Sequence, residues 1–466
     1  MAASVSSLLC RLVRRACAHA ASGLPCAEST PWKGILVVTS CAGVRCSGPG
    51  SALALAGALL VWAPRALAQA GVVLDQHGIE PAAIYDGAAF DNGVGGVHRQ
   101  AAYSGNLTLR LRLDLDRLMG WGGATFYASG VWIHGGQPSR ASGDAQGVSN
   151  ISAPPAAQLE ELWLQQNWAG FAGSLLVGLL DPTREFYRLQ AAGLFLNSSF
   201  GTGPEFSQSG SAGPGVFPNT SLGLRLAYKL DPRLLLRAAL LDGAPLRRAD
   251  GSLAAFQAGD GGVFLFEVAF LERPATPSMQ RSRRFRLGRF SNLPPYDHKL
   301  SFGAWHYTAT FDDLTDRQSD GQPLPRHGSS GAYLIGEVLL GRASGSSSRR
   351  RSAFAQLGIS DARSSRFSSY FGAGIVASAV LGKAMNDELG LAIAVARNGS
   401  HFLEAQRERA LSVWRAEIAL ELTYLVQLTS FLALQPDVQC IVHPNTDPEL
   451  ENALAGTLRF ELATGQ

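Results

Sequence analysis

The chain has 466 residues, with 40 Lys and Arg against 37 Asp and Glu, a formal net charge of +3 and 46% hydrophobic residues. This near balance gives no sign of a nucleic-acid partner, which would need a basic patch. Five of the six cysteines lie before residue 50, so the remainder of the chain holds too few for an internal disulfide or a cysteine-based metal site.

The N-terminal region predicts export. A short apolar run, Ala52–Ala63, precedes the small-x-small tripeptide Ala66-Leu67-Ala68. The run is shorter than the roughly 20 residues of a spanning helix, so we interpret it as a signal peptide and expect residues 1–68 to be removed. The long stretch before it is explained by a start codon placed too far upstream or, alternatively, by an organelle transit peptide.

In the remaining chain, apolar and polar side chains alternate with a period of two residues, which is typical of β-strands. In Leu107–Asp116 every second residue is leucine, and the residues between them are Thr, Arg or Asp. Successive side chains of a strand point to opposite faces, so this stretch has one apolar and one charged side. The same alternation recurs, and we predict sixteen strands. They are 84–90, 103–117, 124–134, 159–168, 174–181, 221–230, 233–242, 263–271, 300–312, 331–340, 353–360, 370–381, 389–397, 413–425, 429–441 and 453–462.

The predicted connections alternate between short and long. Short turns at 120–123, 169–173 and 231–232 alternate with long polar loops, and these loops are 135–157, 182–220 and 243–262. Transmembrane β-barrels of outer membranes show this asymmetry, and an even strand number places both termini at the short-turn end. We therefore predict an all-β fold, a transmembrane antiparallel β-barrel over 69–466, rather than a soluble sandwich with a single core.

One segment departs from this alternation. Residues 273–298 should form a short turn, yet they are long and rich in arginine. They are interpreted as an inserted excursion or as a slip in the predicted register. A second basic run, Arg349–Arg351, lies at another predicted turn.

From residue 143 onward the chain carries seven short motifs that together span most of the exported chain. They are GDAQGVSNI (143–151), ELWLQQ (161–166), VGLLDPTREF (177–186), FLNSSFG (195–201), LGLRLAY (222–228), GAWHYT (303–308) and LQPDVQ (434–439). In these motifs and in their order the chain resembles the OprB family of carbohydrate-selective outer-membrane porins. The resemblance implies a sixteen-stranded barrel that admits sugars such as glucose by facilitated diffusion.

A barrel of this width needs an element that narrows it, and the loop 182–220 is the predicted constriction. Arginine and carboxylate side chains can replace the hydration of sugar hydroxyls, and the rings of Trp163 and Phe186 could stack on sugar C–H faces. The predicted constriction or lumen residues are Arg110, Arg112, Glu161, Trp163, Asp181, Arg184, Glu185, Arg225 and Glu267.

Other functions remain open from the residues alone. A general diffusion pore without sugar selectivity would share the barrel, and a barrel enzyme or an adhesive barrel could do so as well. No phosphate-binding loop, nucleophile elbow or metal-ligand spacing is present, so we expect no enzyme and no cofactor. The expected partners are a carbohydrate solute, outer-membrane lipid and the barrel assembly machinery of a Gram-negative bacterium. A homo-oligomer is left open by the sequence.

Overall fold

A computed structural model describes residues 77–168, 170, 172–248, 250–272, 296–342, 350–381 and 386–464. The predicted export segment 1–68 and nearly all of the basic segment 273–298 lie outside the described residues. So does Arg349, the first residue of the second basic run.

Sixteen antiparallel strands form one closed barrel, as predicted, in which each strand pairs with its neighbours in sequence and β1 pairs with β16. Every predicted strand has its counterpart. The strands are β1 Ile79–Gly96, β2 Gln100–Asp114, β3 Ala124–Gly135, β4 Ala156–Trp168, β5 Gly173–Leu180, β6 Ser221–Lys229, β7 Leu234–Asp242, β8 Gly262–Glu272, β9 His298–Arg317, β10 Pro323–Arg342, β11 Arg350–Ser360, β12 Phe367–Ser378, β13 Asp387–Asn398, β14 Ala416–Gln427, β15 Leu432–Val442 and β16 Glu451–Thr464.

Short helices occupy the connections. They are α1 Leu115–Met119, α2 Ser139–Ser142, α3 Ser198–Gly201, α4 Pro204–Ser207 and α5 Ser400–Glu408, with 3-10 turns at Pro182–Arg184, Ala192–Leu194 and Pro444–Thr446. None of the helices in the described ranges has the length and apolar character required to cross a bilayer.

Two predicted strand ends were wrong because an aspartate begins a helical turn there. The predicted second strand continued to Arg117, but Asp114 accepts hydrogen bonds from the backbone N–H groups of Asp116 and Arg117 and starts α1. Likewise Asp181, expected to end the fifth strand, caps the turn Pro182–Arg184 through the N–H of Thr183. Aspartate satisfies the unpaired donors of a helix start, and this local bond competes with strand continuation.

The two faces of the wall have the predicted polarity. In β2, Leu109 is 55% exposed on the outside while Arg110 is 6% exposed inside, and in β8 Phe266 is 44% exposed while Glu267 is fully buried. A barrel in lipid needs this arrangement, because apolar side chains meet the hydrocarbon and polar ones face the interior.

The two ends of the barrel differ. At one end, which we call the turn end, strands are joined by tight turns such as 230–233 and 428–431. At the other, the long-loop end, the connections 136–155, 181–220 and 399–415 are extended. The asymmetry is incomplete, because 318–322 is a short connection at the long-loop end, where β9 and β10 continue further instead.

The outer face yields a stability prediction. Leu420 is 42% exposed on β14, between Ile393 and Cys440 of the neighbouring strands. Leu420→Arg should lower the free energy of unfolding by about 2–4 kcal/mol, because a charged side chain would enter hydrocarbon. Urea titration in lipid vesicles, followed by tryptophan fluorescence, measures this value. Leu420→Phe, which stays apolar, is the matched control, and equal stability of the two variants would contradict the assignment of this face to lipid.

Candidate functional site: a loop folded into the barrel

The connection from β5 to β6, residues 181–220, folds into the barrel and buries its aromatic side chains against the wall. These side chains are almost inaccessible, at 0–2% exposure, and they are Phe186, Tyr187, Phe195, Phe200 and Phe206. They pack on rings from β9 to β12, with centroid distances of 4.3 Å for Tyr187–Tyr333, 4.7 Å for Phe206–Trp305 and 5.7 Å for Phe195–Phe354. This half of the barrel interior is therefore a packed core.

Glutamates of the wall hold the backbone of this inner loop. Each one accepts hydrogen bonds from N–H groups that have no strand or helix partner. The contacts are Tyr187 N to Glu267 (3.1 Å), Gln190 N and Ala191 N to Glu337 (2.7 and 2.9 Å), and Leu196 N and Asn197 N to Glu421 (2.5 and 2.9 Å). Charge-assisted bonds to backbone N–H groups are among the stronger hydrogen bonds, so they fix the path of the loop.

A second loop, 136–155, is held by the same chemistry. Glu417 on β14 accepts the N–H groups of Ala145 and Gln146. Within the loop, the carboxylate of Asp144 accepts the N–H groups of Gly147 and Val148 at 2.5 and 2.9 Å. Burial raises the pKa of Asp144 above its ordinary value, although these hydrogen bonds oppose the shift.

The start of the inner loop carries an arginine surrounded by three carboxylates. Arg184 lies 2.7 Å from Glu160, 3.2 Å from Glu161 and 3.6 Å from Asp181. Burial by itself lowers the pKa of Arg184, but the three carboxylates outweigh burial and raise it above the usual range. Because Asp181 caps the turn that bears Arg184, the loop presents this guanidinium to the wall in a defined position.

A β-bulge brings two successive glutamates to the same face. Ser129 of β3 pairs with Glu161, but the next residue, Gly130, pairs with Leu159, so Glu160 is the extra residue. Strand alternation would turn Glu160 outwards, yet both glutamates are buried. A bulge of this kind redirects a side chain at the cost of one ladder position.

A second buried network lies beside this cluster. Glu185 contacts Arg225 at 2.8 Å and Arg237 at 3.2 Å, and Arg237 also contacts Glu267 at 3.1 Å. Lys299 lies 3.7 Å from Glu267. These ion pairs join the inner loop to β6, β7, β8 and β9.

A cavity of about 280 Å³ with charged residues in its lining lies between the inner loop and the wall. The loop lines one side, and β1, β2, β4, β15 and β16 contribute to the other. Its charged lining residues are four arginines and four carboxylates: Arg110, Arg184, Arg188 and Arg459, with Asp86, Glu160, Asp181 and Glu461. Balanced charges of this kind can both donate to and accept from an uncharged polar solute.

The residues predicted from sequence occupy four places. Arg110, Asp181 and Arg184 line the larger cavity. A smaller cavity of about 20 Å³ is lined by others of the set, namely Glu161, Trp163, Glu185 and Arg225, together with Asp181 and Arg184. Glu267 holds the inner loop, and Arg112 lies towards the turn end, 2.6 Å from Glu80.

The two proposed stacking rings do not line the larger cavity. Trp163 stacks on Tyr127 with centroids 4.8 Å apart, and Phe186 is only 2% exposed within the aromatic core. Sequence reasoning missed Glu160, Arg188 and Phe217, which do line it. The alternation of apolar and polar residues along a strand reveals neither the bulge that turns Glu160 inwards nor the fold of the inner loop.

The described residues contain no group of three or more His, Cys, Asp or Glu side chains placed to hold a metal ion.

A closed sixteen-stranded barrel with an apolar outer face and a loop-narrowed polar interior is the architecture of an outer-membrane porin. Residues 98–463 match the family model described as carbohydrate-selective porin, OprB family, and the chain belongs to this family. It is therefore a carbohydrate channel of the outer membrane of a Gram-negative bacterium.

Known proteins agree with this assignment. Porin B of Pseudomonas aeruginosa is 22% identical over 412 residues, covering 82% of this chain and 85% of the relative. The high-pH structure of Pseudomonas putida OprB superposes with a TM-score of 0.71 at 19% identity, covering 84% of this chain and 96% of that one. The low-pH structure of the same protein gives a TM-score of 0.51 at 15% identity, with 84% and 94% coverage. At these identities the structural likeness shows the fold.

The attachment of the inner loop to the wall is testable at Glu337. Glu337→Ala would remove the acceptor of the Ala191 N–H and one of the acceptors of the Gln190 N–H, whose other acceptor is the Tyr296 hydroxyl. A buried donor that loses its acceptor costs about 1–3 kcal/mol. We expect a looser loop and therefore more open-channel current noise in planar bilayers. Glu451→Ala, on an exposed glutamate of β16, is the control. Noise equal to that of the control would show that Glu337 does not restrain the loop.

Glu205 in α4 is a buried carboxyl of the inner loop. It accepts a hydrogen bond from the Tyr187 hydroxyl at 2.7 Å, while its second oxygen has no hydrogen-bond partner within the part of the chain that the structure describes. Tyr370 of β12 and Gly358 of β11 are close to it. Burial raises the pKa of Glu205 from 4.5 to about 7, so the neutral acid is favoured in the folded protein.

This shift predicts a pH dependence of stability. The folded protein binds the Glu205 proton more tightly than the unfolded chain does. The stabilising contribution of this proton to the free energy of unfolding is therefore complete below about pH 4.5 and is lost as the pH rises towards 7. The variant Glu205→Gln has no such proton. The difference in unfolding temperature between the native protein and this variant, read from heat-modified migration on gels, should fall over this range and then level off. A constant difference would contradict the shift.

Proposed function

We propose that glucose-type sugars pass between the inner loop and the wall formed by β1, β2, β15 and β16, and that the Arg184 cluster forms the constriction. The observation that carries this proposal is the balanced charged lining of the 280 Å³ cavity. A sugar hydroxyl both donates and accepts, so it can exchange its water partners for guanidinium and carboxylate groups along this passage.

Passage requires weak binding. A solute that is held too tightly leaves too slowly, so a useful site binds in the millimolar range, which corresponds to only about 4 kcal/mol. The ion pairs of Arg184 favour this regime. Its carboxylate partners already pair with the guanidinium, so a sugar competes with existing contacts and gains little net energy.

A general diffusion pore is the second candidate. It would have the same barrel, and the wide polar lining by itself is compatible with it. The inner loop favours a selective channel over a general pore. Three glutamates of the wall hold this loop in place, and the loop narrows the barrel interior to a defined passage.

A channel rather than a catalyst is also the function that the family supports. The buried Arg and Glu side chains pair with one another and with backbone N–H groups, which suits a rigid passage. We further propose that residues 1–68 are removed on export, that the assembly machinery inserts the barrel, and that the long-loop end faces the exterior.

The test is the conductance of single channels in planar bilayers with glucose added. The native protein should show conductance steps that glucose blocks in a concentration-dependent manner. Arg184→Ala and Trp163→Ala should weaken this block, the first by removing the cluster's donor and the second by removing the packing beneath the loop. Arg363→Ala is the control, because Arg363 is exposed and pairs with Asp361 outside the cavity.

The outcomes separate the candidates. Conductance without block by any sugar identifies a general diffusion pore. Block that is unchanged in both variants, with folding intact on heat-modified gels, would remove Arg184 and Trp163 from the constriction.

A further inference from the structure

The last part of the inner loop, residues 216–220, is fixed to the strand that bears Glu160. The side-chain amide of Gln158 donates to the carbonyl oxygen of Pro218 at 2.5 Å and to Oδ1 of Asn219 at 3.1 Å. The hydroxyl of Thr220 donates to the carbonyl oxygen of Glu160. The segment that carries Phe217 is thus held beside the Arg184 cluster.

Two phenylalanines line the larger cavity, and they differ in what covers them. Phe195 is 1% exposed and packs on Phe200 and Phe354, with centroids 4.9 and 5.7 Å away. Phe217 is only half-buried, and among the described residues no aromatic ring stacks on it. Phe217 is therefore the more exposed of the two phenylalanine rings that line this cavity.

We propose that Phe217 determines the preference of the channel for ring-form sugars over acyclic polyols. This inference rests on the proposed sugar passage. A pyranose has a flat face of C–H groups and a rim of hydroxyls. The partly exposed ring of Phe217 suits the C–H face, while Thr183, Arg184 and Glu160, which line the same cavity, suit the hydroxyl rim.

An acyclic polyol has a similar number of hydroxyls but no rigid C–H face. It can bind the charged lining as well as a sugar can, yet it loses the stacking contact with the aromatic ring. The ring therefore adds selectivity by shape, which the charged groups alone do not supply.

The experiment compares block by glucose and by sorbitol in single channels of the native protein and of three variants. Phe217→Leu keeps an apolar side chain without a ring, Phe217→Tyr keeps the ring, and Phe371→Leu makes the same replacement on the outer face of β12, where Phe371 is 40% exposed. In Phe217→Leu the half-blocking concentration of glucose should rise roughly three- to tenfold, the range of an aromatic contact, while that of sorbitol stays unchanged. Phe217→Tyr should retain the native preference, and so should Phe371→Leu.

The possible failures are distinguishable. If glucose blocks the native channel but Phe217→Leu keeps the same glucose-to-sorbitol ratio, the role of Phe217 is overturned and the sugar passage stands. A native channel that neither solute blocks overturns the proposed function and this inference with it. An equal loss of both kinds of block in Phe217→Leu would assign the residue a purely structural role, against the proposal.

Discussion

The path of the inner loop depends on hydrogen bonds between glutamates of the barrel wall and backbone N–H groups of the loop. A long irregular segment inside a barrel has many backbone donors without a ladder partner, and each one left unpaired away from water is costly. Glu267, Glu337 and Glu421, which lie on three different strands of the wall, accept hydrogen bonds from these donors. The aromatic core between loop and wall then packs against a backbone whose path is already determined.

The same arrangement explains why so much charge is buried. Arg184, Arg225 and Arg237 would be costly to remove from water alone, but each meets at least one carboxylate within 3.2 Å. The ion pairs connect the loop to strands on both sides of its entry point. The resulting lining is rich in charges, with four arginines and four carboxylates around the larger cavity.

Most of the barrel could be predicted from sequence, because lipid outside and water inside impose a period of two on every strand. Leu109 and Arg110 show this rule plainly. Three features could not be predicted from this period of two. The bulge that turns Glu160 inwards breaks the period, the caps at Asp114 and Asp181 end strands early, and the burial of Phe186 depends on long-range packing of the inner loop. Arg110, Asp181 and Arg184 were predicted as constriction or lumen residues and line the larger cavity, whereas the place of Phe217 in the same lining has no local signature.

The pairing of β1 with β16 has a consequence for how the molecule is made. Ala83 and Thr464, which are hydrogen-bonded across this seam, are 381 positions apart in the chain. Contacts between such distant residues form late and slowly, since a very long segment must be ordered before the two strands meet. Until then the edges of the first and last strands are unpaired and can promote aggregation. A protein that covers both edges during insertion would prevent this aggregation.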